Sequence, residues 1–203
     1  MSYTEIKRNI KARLYGETKA KEIKNSGCIY CDAEPWGFEG LYLIPVIELG
    51  YDYNNSGFKV SYISKELVDE WGVTESEIIE TSIQNLDYKV QSLRQTMINM
   101  MGLRDAPEEI IDILVPPTPT NIYVITNKTG VCGASSIIPA TKELIKMFPN
   151  GYIVLPSSIH EVLVVEKTDD EDTDTMNDMV REINSTVVQE KDRLSDDIYE
   201  FVA

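Results

Sequence analysis

The only histidine of this 203-residue chain, His160, lies beside two serines and a carboxylate in the run Leu155-Pro-Ser-Ser-Ile-His-Glu161. Hydroxyl, imidazole and carboxylate are the groups of a serine hydrolase, and in extended chain Ser158 and His160 would share one face. A hydrolase normally sets its serine on a sharp Gly-x-Ser-x-Gly elbow, which the sequence lacks. The alternative is a turn whose hydroxyls satisfy backbone amides. Ser158, His160 and Glu161 are candidate catalytic residues, but the missing elbow favours a structural role and no enzyme activity.

Three cysteines complete the residues that could do chemistry. Cys28-Ile-Tyr-Cys31 has the spacing of half a zinc site, and Cys132 with His160 could supply two further ligands. The second pair has no recognisable spacing, and the Cys-x-x-Cys lacks the strand-to-helix context of a thioredoxin-like redox motif. Zinc binding and redox chemistry are therefore the alternatives, and ordinary cysteines without a metal are the prediction. Phosphate-binding and dinucleotide glycine motifs are also absent, so no cofactor is predicted.

The charge of the chain limits its partners. Thirty-four acidic residues against 19 basic ones give a net charge of −15, with 13 acidic and four basic residues between positions 166 and 203. Direct nucleic-acid binding is not expected, because phosphate contacts need Lys or Arg. Such a field attracts basic protein surfaces, although it also favours solubility. We predict that a basic protein partner contacts the acidic residues of this region: Asp169, Asp170, Glu171, Asp172, Asp174 and Asp178.

Length and composition indicate the class of protein. The chain is 42% apolar, which is enough for one sizeable core or two small ones. No apolar run reaches the roughly 18 to 20 residues that cross a bilayer, and the first residues do not resemble a secretory signal. An odd cysteine count argues against a secreted disulfide framework. We expect a cytoplasmic protein without membrane contact.

The N-terminal residues predict an amphipathic helix. Ser2 and Glu5 have the spacing of a capping box. Ile6, Ile10 and Leu14 follow at helical spacing, with basic residues between them. This helix is expected to pack against the acidic body of the protein.

The rest of the chain predicts two hairpins and several helices. The first hairpin joins residues 41–49 to 58–63, and the second joins residues 121–126 to 131–137. Between them a helix begins at Thr74 and continues, either unbroken or with an interruption, towards Met101. The Met97, Met100 and Met101 side chains are expected in the core, the alternative being an adaptable binding surface. Later helices and strands are predicted at 139–148, 152–155, 161–165, 175–183 and 198–202.

These elements predict an α+β fold, with a mixed or antiparallel sheet built from hairpins, flanking helices and the N-terminal amphipathic helix. Prolines between Pro116 and Pro119 separate an N-terminal portion, residues 1–115, from a C-terminal α+β portion, residues 121–203. We expect the two portions to form one compact unit.

Several blocks of the C-terminal portion resemble DUF5688, an uncharacterised family found in gut Firmicutes. The resemblance is best over about residues 121–200, looser at 44–49 and 78–86, and absent from the first 40 residues. It implies a shared fold and a bacterial or phage source, and no activity of the family is known. The blocks are Asn127-Lys128, Gly133-Ala134, Tyr152-Ile-Val-Leu-Pro-Ser-Ser-Ile-His-Glu161, Met179-Val-Arg-Glu-Ile-Asn184 and Leu194-Ser-Asp-Asp-Ile-Tyr199.

Two classes of function are compatible with these features. The favoured one is an acidic protein-binding module, in its sharpest form a phage or mobile-element inhibitor that occupies the basic cleft of a nucleic-acid-handling host enzyme, as anti-CRISPR or antirestriction proteins do. The alternative is a hydrolase-like enzyme that uses Ser158, His160 and Glu161. No oligomeric state is indicated.

Overall fold

A computed structural model describes residues 2–52, 57–118, 121–156, 158–168 and 173–202. These residues form two antiparallel sheets with helices around them, which confirms the α+β prediction. No helix in the described ranges is long and apolar enough to cross a membrane.

The first sheet is built around one long strand, β3. The strands of this sheet and the helices that accompany them are, in chain order, α1 (Tyr3–Ile6), β1 (Ile10–Tyr15), α2 (Glu17–Asn25), β2 (Cys31–Asp32), β3 (Tyr42–Asp52), β4 (Gly57–Tyr62), α3 (Lys65–Trp71) and α4 (Glu75–Gln84). Strand β1 pairs with β3 from Ile10 opposite Ile47 to Tyr15 opposite Tyr42. Strands β2 and β4 pair with the other side of β3. The β3–β4 pair confirms the first predicted hairpin.

The second sheet has the strand order β5-β6-β8-β7-β9, with every neighbouring pair antiparallel. Its elements, in chain order, are β5 (Lys89–Ser92), α5 (Leu93–Met100), α6 (Glu108–Leu114), β6 (Ile122–Thr126), α7 (Ile137–Met147), β7 (Tyr152–Leu155), β8 (Val162–Glu166), α8 (Thr173–Thr186) and β9 (Tyr199–Phe201). The last five elements, from α7 to β9, confirm the helices and strands predicted after residue 138.

The predicted N-terminal helix is wrong beyond its first turn. The capping box forms, with the Ser2 N–H donating to the Glu5 carboxylate at 2.8 Å, but α1 has only four residues. The chain then becomes β1, where Ile10 and Leu14 are buried. Apolar residues at every fourth position also lie on one face of a strand, because four is a multiple of two. Pairing with β3 therefore decides between the two structures.

The structure resolves one further prediction and corrects another. The helix predicted to run from Thr74 towards Met101 is interrupted by β5, and Ser92 then caps α5 by accepting from the Gln95 N–H at 3.2 Å. The second hairpin does not form, since β6 pairs with β5 and β8 while residues 131–137 lead through a short 3-10 turn into α7. A local turn at 127–130 does form, but it connects a strand to a helix.

The largest hydrophobic cluster draws on both sheets. Leu14 and Leu43 enter it from the first sheet, Ile125 and Val154 from the second, and Leu144 from α7. All five are at most 1% exposed. Ile159, the neighbour of His160 in the connection between β7 and β8, also belongs to this shared cluster.

Candidate functional site

The segment from Pro156 to Glu161 is the connection between β7 and β8. The Ser158 hydroxyl accepts a hydrogen bond from the backbone N–H of His160 at 3.0 Å and so closes the turn on itself. Glu161 is half-buried, and its side chain makes no hydrogen bond or ion pair with any residue in the described ranges. The structure thus joins Ser158 and His160 through the backbone and leaves Glu161 apart.

The His160 imidazole lies between two other segments of the chain and is hydrogen-bonded to one of them. Its Nδ1 accepts from the backbone N–H of Cys132 at 3.1 Å, so the neutral ring carries its proton on Nε2. Nε2 lies 3.7 Å from Asp192 Oδ1, slightly beyond hydrogen-bond length. Within the described chain, neither ring nitrogen is bonded to the Ser158 hydroxyl. The arrangement lacks the nucleophile–base hydrogen bond on which serine hydrolysis depends.

The same turn fastens two distant loops to the second sheet. The His160 carbonyl accepts from the Gly133 N–H at 2.9 Å, and the Ile159 carbonyl accepts from the Ala134 N–H at 3.1 Å. In the opposite direction, the Ile159 N–H donates to the Asp192 carbonyl at 2.8 Å. The turn is therefore a junction of three chain segments, and its backbone groups carry most of the bonds.

Cys132 lies beside this junction in an unusual backbone conformation. Its φ of 50° is the only positive value at a non-glycine residue in the described chain. Burial raises the pKa of its thiol, an effect that the nearby Arg13 guanidinium partly opposes. A thiol in this state is protonated at neutral pH, and the reactive species of cysteine is the thiolate. The surroundings of Cys132 therefore do not resemble those of a catalytic cysteine.

Arg13 is a buried charge next to the Cys132 thiol. Only 6% of the residue is exposed, its Nη2 lies 3.5 Å from Glu48 Oε1, and its Nε has no partner in the described structure. A cavity of about 40 Å³ borders both Arg13 and Cys132. A space of this size takes a few water molecules at about 10–15 Å³ each, and water would satisfy the free N–H.

The structure does not bring the four candidate zinc ligands together in one group. No group of three or more His, Cys, Asp or Glu side chains that could hold a metal occurs in the described ranges. Among the candidates, hydrogen bonding connects only Cys132 and His160. Cys28 lies just beyond α2, and Cys31 lies in β2, where burial raises the pKa of its thiol to about 11. That these cysteines bind no metal remains a prediction.

A cleft of about 540 Å³ opens on the far side of the junction, between the start of α2 and residues 190–196. Its lining includes the Tyr15, Tyr62, Ile159 and Leu194 residues and charged groups of both signs. The basic groups are Lys19, Lys191 and Arg193, and the acidic ones are Glu17, Glu22, Glu190 and Asp196. This balance of charge selects no class of ligand.

Two of the six predicted partner-binding acids lie in the described chain. Asp174 and Asp178 are exposed on α8, and Glu182 continues their four-residue spacing along one side of the helix. We call these three residues the acidic row. The other four, Asp169, Asp170, Glu171 and Asp172, fall outside the described residues.

An apolar row, which the sequence analysis missed, runs beside the acidic row. Met179, Ile183 and Val187 also follow each other at four-residue spacing, and they are 45%, 37% and 76% exposed. Val187 lies one residue beyond α8, where its N–H still donates to the Ile183 carbonyl at 2.8 Å. The spacing was visible in the sequence, but Val180 in the same stretch is apolar too and is buried. Only the packing of α8 shows which apolar residues face solvent.

Helix α8 is held firmly enough to present both rows. The buried Asn184 side chain donates to the Ser195 carbonyl at 2.9 Å and to Asp196 Oδ1 at 2.6 Å. Nearer the start of the helix, Asn177 Oδ1 accepts from the Ile198 N–H at 2.9 Å. These bonds fix α8 along the segment that leads into β9.

The family model of DUF5688, described as a family of unknown function, matches residues 41–202. The chain belongs to the DUF5688 family. The match is wider than the C-terminal resemblance and includes β3 to β9, the junction at His160 and helix α8. No curated protein and no solved structure matches the chain.

In this DUF5688 protein, Ser158→Ala and His160→Ala should each lower the free energy of unfolding by about 1–2 kcal/mol, because each leaves a backbone N–H without its partner. Both residues are half-buried, so solvent can replace part of each lost bond. Glu161→Ala is the matched control and should change stability by less than about 0.5 kcal/mol. Urea unfolding measures the three values. Labelling of Ser158 by a fluorophosphonate probe would contradict the structural role.

Proposed function

We propose that this DUF5688 protein is an acidic protein-binding module whose partner presents a basic surface. The observation that supports the proposal is the exposed side of α8, where the acidic row and the apolar row lie next to each other. Arg181 is the basic residue of α8, and it is paired with Asp178 at 3.4 Å and with Asp197 at 3.0 Å. The excess of acidic charge beside an apolar row matches a surface that carries Lys or Arg around apolar side chains.

The two rows would act on different steps of binding. Long-range attraction from the acidic row raises the association rate, and it acts within a chain whose net charge is already −15. The apolar row loses contact with water only in the complex. Each Å² of apolar surface buried there stabilises the complex by about 25 cal/mol, which slows dissociation.

The finer proposal concerns the class of partner. Enzymes that handle nucleic acids line their clefts with Lys and Arg to bind phosphates. An acidic protein can occupy such a cleft in place of the nucleic acid, so we propose an inhibitor of the anti-CRISPR or antirestriction type from a phage or mobile element. Such an inhibitor would act in the cytoplasm, where its target works. The hydrolase alternative has no comparable support, because the His160 imidazole is bonded to the Cys132 N–H, while the Ser158 hydroxyl is bonded to the His160 backbone N–H and not to the imidazole.

Affinity capture from the source bacterium, with mass spectrometry, identifies the partner. Binding of this partner is then compared between the unmodified protein and two variants. In the charge variant, Asp174→Asn, Asp178→Asn and Glu182→Gln remove the acidic row. In the apolar variant, Met179→Gln and Val187→Gln remove most of the apolar row. The charge variant should associate about 10-fold more slowly in 50 mM salt, with the difference fading by 300 mM as the Debye length falls from about 14 to 6 Å. The apolar variant should mainly dissociate faster.

A matched control removes three exposed acids elsewhere, through Asp69→Asn, Glu70→Gln and Glu80→Gln on α3 and α4. It changes the net charge equally and should slow association much less. If the control and the charge variant slow association to the same extent, binding depends on net charge alone and α8 is not the binding surface.

A further inference from the structure

The α5–α6 pair is an insertion between two paired strands. Strands β5 and β6 are antiparallel neighbours, with Ser92 opposite Tyr123. Antiparallel neighbours are usually joined by about two to five residues. Here residues 93–121 form the connection, and most of them lie in two helices. The sheet does not need so long a connection, so the insertion has another role.

The insertion holds itself together. The Arg94 guanidinium, at the start of α5, donates through Nε to the Val115 carbonyl at 3.0 Å and through Nη2 to Asp112 at 2.5 Å, near the end of α6. These bonds tie the start of α5 to the end of α6, and we call residues 93–118 the α5–α6 hairpin. Ile98 and Val115 are buried, and α5 lies against β5 and β6. No residue between 93 and 118 belongs to the three hydrophobic clusters of the described structure, so the hairpin adds little to the core.

The outer side of the hairpin is apolar. Met97, Met100 and Met101 were predicted in the core, but the structure shows them exposed, Met100 by 83%. Ile110, Ile113 and Leu114 are exposed on α6, Ile113 by 74%. These six side chains are nearly half of the 13 large apolar ones that are exposed in the described residues. Methionine is flexible and polarizable, and surfaces rich in it adapt to varied partners.

A cavity at the base of the hairpin could take an anchoring side chain. Its volume is about 170 Å³, and Leu93, Met97, Val115, Pro116 and Ile122 are among the residues that line it. An apolar cavity of about 150 Å³ is known to accept benzene. The site therefore has room for one leucine or phenylalanine side chain.

The charge around the apolar side indicates what kind of partner binds. Asp105, Glu108 and Glu109 are exposed at the tip of the hairpin and make no ion pair with the residues in the described ranges. Arg104, the basic residue at the tip, instead donates to Asn99 Oδ1 at 2.7 Å. A second copy of the chain would bring the same acids and another −15 charge against this rim, and an anionic bilayer would also be repelled.

We propose that the α5–α6 hairpin is a second binding surface, separate from α8, for an amphipathic protein segment whose apolar side chains are flanked by Lys or Arg. One large apolar side chain of the segment enters the cavity at the base, and others pack on the exposed methionines. The basic residues meet the acids at the tip. An amphipathic helix in a groove is a common mode of this kind, with anchors at helical spacing.

The test uses a synthetic helical peptide of about 18 residues made of Leu and Lys, a length at which a peptide helix is stable enough to bind. In the hairpin variant, Met100→Gln and Ile113→Gln change two exposed side chains that the fold does not need. In the control variant, Leu49→Gln and Ile145→Gln change two other exposed apolar residues. Fluorescence anisotropy should show about 10-fold weaker binding to the hairpin variant, a loss of about 1.4 kcal/mol, and less than about 2-fold change for the control.

Two further peptides and one further variant separate the possible outcomes. Peptides with Glu in place of Lys, or with Ser in place of Leu, should bind far more weakly, and equal binding of either one would overturn the proposal. If only the Met179→Gln, Val187→Gln variant weakens peptide binding, the peptide binds α8, which contradicts this proposal and supports the proposed function. A dimer in sedimentation that the hairpin variant dissociates would show that a second copy occupies the surface, and would overturn it too.

Discussion

Replacing Phe38 with alanine should lower the free energy of unfolding by about 3–5 kcal/mol. The ring lies in the loop before β3 and is 1% exposed. Its centroid is 5.2 Å from that of Tyr199 and 5.4 Å from that of Phe201, both in β9 at the edge of the second sheet. The substitution leaves a cavity between the two sheets and removes both aromatic contacts.

Urea unfolding of Phe38→Ala beside Tyr88→Ala measures this effect. Tyr88 is 37% exposed, so its truncation should cost much less. Hydrogen exchange should also become faster at the β9 amides, because β9 is a three-residue edge strand that relies on these rings. A loss below about 1 kcal/mol for Phe38→Ala would mean that the loop and β9 stabilise each other little.

Phe38 also shows that residues before the family range contribute to the core. The family match begins at residue 41, yet Phe38 is buried against β9, and β1 supplies Leu14 to the main cluster. The first 40 residues therefore complete the core around which the matched region folds.

Local patterns predicted the elements whose structure is decided locally. The hairpin of β3 and β4 follows from an apolar run, a set of turn formers and then the alternating Phe58, Val60 and Tyr62. Helix α8 follows from helical spacing, and strands β7 and β8 from short apolar runs. For α8 the helical period fits the residues, and for β7 and β8 the short length of the apolar runs favours a strand.

Pairing with distant residues decided the elements that were predicted wrongly. Ile6, Ile10 and Leu14 fit a helix and a strand equally well, and β3 lies some 30 residues further along the chain. The methionines of α5 have a helical pattern, but a pattern cannot show whether another element covers that side. Their exposure follows from the position of the hairpin outside the hydrophobic clusters.

In the candidate site, too, the local contacts were predictable from the sequence and the long-range contacts were not. The closeness of Ser158 and His160 was predictable, because they are two residues apart. The partners of the imidazole were not, since Cys132 lies 28 residues before it and Asp192 belongs to the segment after α8. These long-range contacts make the turn a junction, and the resemblance to DUF5688 blocks, including Gly133-Ala134, lies on both sides of it.

Gly133 is the residue of this junction for which a side chain has least room. A Cβ there would lie 2.4 Å from Thr126 Oγ1, 2.5 Å from the Asn127 nitrogen and 2.8 Å from the His160 oxygen, and two of these atoms are backbone. Its φ of −94° suits any residue, so the cost of a substitution comes from space and not from backbone strain.

Gly133→Ala should therefore lower the free energy of unfolding by about 3 kcal/mol, because the loop must move away from the sheet and the Gly133 to His160 hydrogen bond is lost. Gly130→Ala is the control, since it has open space but a φ of +71°, and should cost only about 1 kcal/mol through strain. Urea unfolding compares the two variants, and the Cys132 and His160 amide signals in NMR spectra should shift only in Gly133→Ala. If Gly133→Ala costs no more than Gly130→Ala, the loop has room to adapt. The turn at His160 would then not be a rigid junction, and the family blocks on either side of it would need another explanation.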